Sequence, residues 1–476
     1  MNNETREIVI NPVTRVEGHG KVTIYLNQNG DVSDARFHVL QYRGFEKFCE
    51  GRLFWEMPLI TSRICGICYT SHHIASAKAC DAIIGAEITE TARKLRELLQ
   101  TGEIIQSHAL HFFYLASPDL LFGMESDPQK RNIAGVLKEK PELGKTGIKL
   151  RRFGQEILER LSGSRIHINY AIPGGVRAAL SDKDRRALLM GIDECITGVE
   201  VALELVKKYC KDESEEIINF ARFKSNYLGL VDEEGNLEFY NGKLRMRSNE
   251  GLIIEEKEIP EYTSIIEEAV EDWSYLKFPY YSKEGYPAGM YRVGPLARVN
   301  VADGISTPLA GEAMKDFKDY SVNGVVDSSM FYHYARMIEV LYALEKARFL
   351  LEDETICSTD IFNASRHINS EGIGITEAPR GTLIHHYQVN DRGAIQRCNL
   401  IVATGHNNLA MNKSVLEVAK KYIKRGEVRE GILNRIEVAI RCYDPCLSCA
   451  THALGQMPLQ IKIVSHEGEL IKEISR

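Results

Sequence analysis

Two cysteine pairs stand far apart in this chain, each with a histidine close behind. Arg63-Ile64-Cys65-Gly66-Ile67-Cys68 is followed by His72, and Asp444-Pro445-Cys446-Leu447-Ser448-Cys449 is followed by His452. At C-x-x-C spacing the short intervening turn lets both sulfurs face one metal ion while its backbone N–H groups donate to the thiolates. Four converging thiolates select a soft or borderline ion. By ligand type alone the site takes zinc, an iron-sulfur cluster or another thiophilic transition metal such as nickel. Paired C-x-x-C motifs commonly hold structural zinc, but zinc modules close small local loops. Here the pairs lie at opposite ends of a long sequence, so a shared site sits in the middle of the fold. A closed zinc shell also has no use for the Arg63, Gly66, His72, Asp444, Pro445 and His452 that surround the cysteines.

The chain has the material to build such a centre. Its 476 residues are 44% hydrophobic and 26% charged, enough for a large core and unlike a disordered composition. A formal net charge of -7 and a pI near 6.1 provide no basic excess of the kind nucleic acid or an anionic membrane requires. There is no basic-then-apolar leader and no run of about 18 apolar residues. The expectation is a cytoplasmic protein without a membrane span. Eleven cysteines are an odd count for a secreted disulfide scaffold, which a chain of this length does not need, so they read as reduced thiols or metal ligands.

The elements that position the cysteines are mostly helical. Alternation through Val22–Leu26, a turn at Asn29-Gly30 and alternation through Ala35–Val39 predict a β-hairpin. Helical spacing predicts helices over 90–117, 144–161, 182–210, 327–352 and 413–424, with Ser181-Asp182 and Asp327-Ser328 at two N-termini. Strand-rich inserts are expected over 231–254, with turns at Glu234-Gly235 and Asn241-Gly242, and from Leu383–Val389 through a turn into Leu400–Ala403. With no linker or repeat, the simplest architecture is one α+β domain, mainly helical, with a long-helix core and peripheral β-hairpins.

R-x-C-G-x-C-x-x-x-H at 63–72 with D-P-C-x-x-C-x-x-H at 444–452 resembles the paired signature of nickel-iron hydrogenase large subunits. The resemblance extends through Val13–His19, Arg43-Gly44-Phe45-Glu46, Ser107–Phe112, Tyr291–Arg298 and Glu377-Ala378-Pro379-Arg380-Gly381, and is greatest to the soluble NAD(P)-linked bidirectional branch. It implies nickel on Cys65, Cys68, Cys446 and Cys449. Cys68 and Cys449 would bridge to an iron carrying carbon monoxide and cyanide. It further implies heterolytic splitting of hydrogen, with the proton passing from Cys446 to Glu17. Taken alone, Glu17 reads as a carboxylate paired with Arg15 or His19.

The same resemblance implies Arg380, after Pro379, over the open metal position, with Asp119 and Asp444 completing the outer shell and Thr404 bonding a cyanide. His72 and His108 would be hydrogen-bonding supports, and Glu46 with His452 would hold magnesium. The other cysteines, Cys49, Cys80, Cys195, Cys210, Cys357, Cys398 and Cys442, lack paired spacing and read as fillers. Residues 1–452 would form one domain. A maturation protease would remove 453–476, whose alternation over Leu459–Val464 and turn at Glu467-Gly468 predict a hairpin.

No further cysteine pair holds a cluster relay and no glycine-rich dinucleotide fingerprint follows a strand. Electrons are therefore expected to leave through a small subunit carrying iron-sulfur clusters, and then through flavin-containing diaphorase subunits. Two other readings are a metal-free electron-transfer scaffold like the related large subunit of respiratory complex I, and a zinc hydrolase. The four intact cysteines oppose the first. Two C-x-x-C pairs would close the zinc shell of the second.

Overall fold

A computed structural model of the chain describes residues 6–212, 214–365, 367–452, 460–464 and 470–475. The predicted hairpin is the larger part of an antiparallel sheet of β1 (Arg6–Ile10), β2 (Gly20–Leu26) and β3 (Val32–Val39). Its core face is filled by Val22, Ile24, Ala35, Phe37 and Val39, all buried. The turn is closed by the Asn27 side chain, whose Oδ1 accepts from Asn29 and Asp31 N–H at 2.9 and 3.0 Å. Glu17 lies in the loop from β1 to β2, which thereby delivers it inward. Next come α1 (Phe45–Cys49) and α2 (Tyr69–Ile84), the latter starting directly after Cys68.

Four long helices make the core: α3 (Glu90–Leu110), α4 (Pro141–Ser162), α5 (Asp182–Asp212) and one further along the chain. Thr89 caps α3, accepting from Ala92 N–H at 3.2 Å, and α3 continues into a π-helical turn over His111–Ala116. The buried stripe Gly147, Leu150, Phe153, Gly154, Ile157, Leu158, Leu161 gives α4 one apolar face. That face touches α3 so closely that a Cβ on Gly154 would stand 2.5 Å from the Gly102 carbonyl. On α5 the Ser181 hydroxyl accepts from Asp184 N–H at 3.1 Å, the cap expected from sequence.

A meander of β4 (Asn226–Val231), β5 (Lys243–Arg247) and β6 (Ile253–Lys257) follows, with Tyr291–Arg292 added in parallel beside β4. After α6 (Pro295–Val301) comes the fourth core helix, α7 (Phe331–Glu352), which packs on α3 and α5 and closes the ring. It starts later than predicted. Ser328 donates to the Ile217 and Phe220 carbonyls and Asp327 accepts from Arg222, so neither is free to cap it.

The second insert is a three-stranded antiparallel sheet of β7 (Glu371–Ala378), β8 (Gly381–Val389) and β9 (Ile395–Ile401). Strand β7 is absent from the sequence-based expectation. It lies flat on α2, with a Cβ on Gly374 placed 2.0 Å from the Ala75 carbonyl. Ala378 pairs with Gly381, so Pro379 and Arg380 form the hairpin tip. The chain ends with α8 (Asn408–Tyr422), α9 (Glu430–Arg441), the single turn α10 (Leu447–Ala450), and β10 (Gln460–Val464) paired with β11 (Leu470–Ser475). That pair is the hairpin expected of the tail, while its turn at Glu467-Gly468 lies outside the described residues. Among the described residues no helix is long and apolar enough to cross a membrane.

Candidate metal centre

The two cysteine pairs meet. Each sits at the start of a helix: Cys68 precedes α2 and Cys446 precedes α10. In the first turn, Ile67 and Cys68 N–H donate to Cys65 Sγ at 3.2 and 3.3 Å, as the C-x-x-C spacing requires. The second pair is carried inward by Glu17, which bridges Cys446 in parallel and accepts from Leu447 N–H on its carbonyl at 3.1 Å. Gly18 there has φ 90°, and a Cβ on it would meet Leu447 Cβ at 2.7 Å.

The sulfurs are separated by 3.3 Å (Cys65–Cys446), 3.9 Å (Cys68–Cys446), 3.0 Å (Cys68–Cys449) and 3.0 Å (Cys446–Cys449). All four ligand atoms lie within 4.8 Å of one another, and every residue is buried. Four sulfurs at about 2.3 Å from one ion stand roughly 3.3 to 4.6 Å apart; two of these separations fall within that range and the two to Cys449 are slightly shorter, a cluster of the size that closes on a metal. Its electrostatics suit one. Hydrogen bonds from Cys446, Cys449 and Cys68 pull the Cys65 thiol well below its ordinary range, while burial pushes Cys446 and Cys449 well above theirs. Four thiolates packed this deeply cannot all ionise without a cation between them.

A small cavity of about 20 Å³ lies beside the sulfurs, lined by Cys68, Cys446, Cys449, Arg380, Thr404 and the apolar Ala378, Leu383 and Val402. Arg380 reaches it from the β7–β8 tip. Its Nε donates to the Asp444 carbonyl at 2.5 Å and its Nη2 to Asp444 Oδ1 at 3.1 Å. Thr404 Oγ1 accepts from Cys446 N–H at 2.9 Å, leaving its own proton for a ligand in the cavity. Glu17 Oε2 accepts from Cys446 Sγ and from Ser448 N–H, both at 3.1 Å, while the Ser448 hydroxyl donates to Oε1. On the opposite side His72 Nε2 is 3.4 Å from Cys449 Sγ, and its Nδ1 is 3.0 Å from His385 Nε2. Burial lowers His72 to about 4, so it is a neutral support.

A profile described as nickel-dependent hydrogenase matches residues 43–133 and 213–452, and one described as HoxL-like matches residues 7–42. The chain belongs to the nickel-dependent hydrogenases. The "NAD-reducing hydrogenase HoxS subunit beta" of Cupriavidus necator is 41% identical over 487 aligned residues, covering 99% of this chain and 100% of that one. A chain of the vhc F420-non-reducing hydrogenase of Methanococcus voltae is 44% identical over 475 residues, covering 98% and 100%. The solved NAD+-reducing [NiFe]-hydrogenase in its H2-reduced state superposes with TM-score 0.91 at 44% identity, covering 94% of this chain and 100% of that chain. The Ni-Fe-Se hydrogenase of D. vulgaris Hildenborough, at 24% identity and TM-score 0.75 over 94% and 100%, shares the fold. The protein is a hydrogenase catalytic chain with four cysteines positioned for its metal.

Within this hydrogenase the other sequence-predicted residues are arranged as follows. Glu46 Oε1 and His452 Nε2 are 3.7 Å apart, and the same oxygen accepts from Leu400 N–H at 2.9 Å. Lys277 Nζ stands 3.6 Å from the same oxygen. Glu17 pairs with neither Arg15 nor His19: Arg15 goes to Asp119 at 2.7 Å and His19 to Gln41 at 3.0 Å. Asp119 meets other partners than Arg380. It follows the π turn, and Arg15, Arg441 and Asn434 occupy its carboxylate. Burial would raise it, but the two guanidinium groups outweigh burial and hold it below the usual range. The place against Arg380 is instead taken by Ser107, whose Oγ is 3.4 Å from Nη1. Of the seven other cysteines all are buried except Cys357, which is partly exposed.

Sequence reasoning assigned no role to Ser448, Ser107, His385 or the buried ion network of Arg298. Arg298 donates to Glu339, to Glu377 and to the Ala378 and Pro379 carbonyls, fixing the loop that presents Arg380. His108 joins the network through Glu339 at 2.8 Å. Arg298 and Glu377 lie within blocks that the resemblance flagged. Nothing in their spacing shows that they meet.

Proposed function

We propose that this chain splits and forms molecular hydrogen reversibly at a nickel-iron group that Cys65, Cys68, Cys446 and Cys449 would hold, with Cys68 and Cys449 serving the iron as well as the nickel. The observation that carries the reading is the carboxylate of Glu17, 3.1 Å from one of four converging buried thiols. When bound, the nickel-iron group, its iron bearing carbon monoxide and cyanide, supplies the redox-active acid that polarises H2. Cys446 takes the proton at Sγ and hands it to Glu17 Oε2, which Ser448 holds in place. Arg380, fixed by Asp444, presents a permanent positive charge to the cavity and orients the substrate. The apolar Ala378, Leu383 and Val402 keep bulk water from the reacting gas. Thr404 would donate to a cyanide on the iron, and Glu46 with His452 would hold magnesium at the end of the working chain.

Residues 1–452 form the working unit in this reading, and a maturation protease removes 453–476. Electrons pass to a small subunit with iron-sulfur clusters and on through flavin subunits to NAD(P) or ferredoxin in the cytoplasm. The name of the NAD-reducing relative supports that route, as does the absence of further cysteine pairs in the sequence. Metal analysis of anaerobically purified protein, with infrared spectroscopy, tests the proposal. Nickel and iron together with bands of bound carbon monoxide and cyanide are expected. Zinc alone in a chain ending at His452 would refute it.

A further inference from the structure

The two halves of the centre belong to segments that share no helix or sheet: residues 63–68 and residues 444–452. A separate segment, Arg43-Gly44-Phe45-Glu46, ties them together. Arg43 Nη2 donates to the Ile64 carbonyl, immediately before Cys65, and to the Ser448 carbonyl, between Cys446 and Cys449. Its Nε donates to Thr451 Oγ1 at 3.1 Å, and that hydroxyl in turn donates to the Ser448 carbonyl at 2.8 Å.

The backbone completes the tie. Arg43 and Gly44 N–H both donate to the Thr451 carbonyl, at 3.0 and 3.1 Å, and Glu46 N–H donates to the His452 carbonyl at 3.1 Å. Two successive N–H groups thus face one carbonyl, and the chain then turns into α1 through a left-handed Gly44, at φ 59°. The fork of a guanidinium, with donors in fixed directions, suits three acceptors on two strands of chain; a lysine ammonium, a point charge on a flexible stem, does not.

We propose that Arg43 is a positioning residue that latches the two cysteine pairs at metal-holding distance, so that the metal is retained when its sulfur bonds lengthen or exchange. This rests on the reading that the four thiols hold nickel. The test uses the anaerobically purified holoenzyme with its partner subunits, in three forms: wild type, Arg43→Lys and Thr451→Val. Nickel release to an external chelator is followed alongside the thermal midpoint.

The latch requires Arg43→Lys to lose nickel roughly ten- to a hundred-fold faster, the effect of losing charge-assisted hydrogen bonds, at an unchanged midpoint. Thr451→Val, which removes the Nε acceptor together with the hydroxyl's own bond to the Ser448 carbonyl and leaves both Nη2 bonds, should accelerate loss several-fold. Nickel kept at the wild-type rate by Arg43→Lys, or released only in step with unfolding, overturns the proposal. If Arg43→Lys does not fold, Thr451→Val decides by the same criterion. Absence of nickel from the wild type would defeat the functional reading instead. The latch would then be read in the full chain from alkylation of Cys446 and Cys449, faster in Arg43→Lys if it exists and unchanged if it does not.

Discussion

Replacing Glu17 by glutamine separates proton transfer from everything else the centre does. The carboxamide keeps the shape of the side chain. Its oxygen can accept from Ser448 N–H where Oε2 does now at 3.1 Å, and its NH2 can face the Ser448 hydroxyl, which rotates to accept. The cost to folding is that of one exchanged hydrogen bond, about 1 kcal/mol. What disappears is the proton acceptor 3.1 Å from Cys446 Sγ. General acid-base groups contribute roughly 100- to 10,000-fold to rate, about 3 to 5.5 kcal/mol of barrier. The assay is formation of HD from H2 in D2O, in which each exchange must carry a proton out to solvent. Glu17→Gln is expected to lower it by that factor, with nickel and iron content and the infrared bands unchanged. Exchange within about tenfold of wild type, in protein with full metal, would show that the proton leaves elsewhere and refute the relay.

Glu103 is buried, hydrogen-bonded to Ser71, and raised from 4.5 to about 8 by burial. A carboxyl raised in the folded state contributes stability fully present below its unfolded value and lost as pH rises through its folded value. The stability of wild type relative to Glu103→Gln should therefore fall between pH 4.5 and 8, measured by denaturant unfolding at several pH values; a flat difference would contradict the assignment. Arg298→Met would leave Glu339 and Glu377 buried without their cation, a loss of about 3–5 kcal/mol, visible as a drop in the thermal midpoint. Gly374→Ala would drive a methyl into the Ala75 carbonyl and push β7 off α2, costing about 1–3 kcal/mol or more; unchanged unfolding would show that the contact yields.

The elements with a solvent-facing side are easier to read from sequence than the fully buried ones. Alternation in β2 and β3 and the polar-apolar stripes of α4 and α5 are visible because each has one wet face. Helix α7 is buried nearly all round and carries Arg336 and Glu339 inside, so its stripe is faint. Its start also moves from the expected Asp327-Ser328 cap to Phe331, because both of those side chains are bonded elsewhere. Strand β7 escapes because Gly372 and Gly374, which usually weaken a strand, are there to admit α2. At the site, C-x-x-C spacing is local chemistry and can be read residue by residue. Ser107 on Arg380 and Ser448 on Glu17 are contacts between distant segments, and short hydroxyl side chains have no spacing signature. Asp119 carries the right chemistry for a partner of Arg380 but lies past the π turn, where Arg15 and Arg441 reach it first.

Cys65 and Cys446 are 381 residues apart in sequence and 3.3 Å apart in space. Closing a loop of that length costs about 5 kcal/mol in chain entropy, a cost already met once the surrounding core has formed. Until then each pair is an isolated dithiol, open to zinc or copper, which thiol sites bind as well as nickel or better. The long separation therefore makes correct metallation a report on completed folding. A stalled or truncated chain has nowhere to put nickel, and a cell that loads the metal last avoids investing it in chains that will not become enzymes.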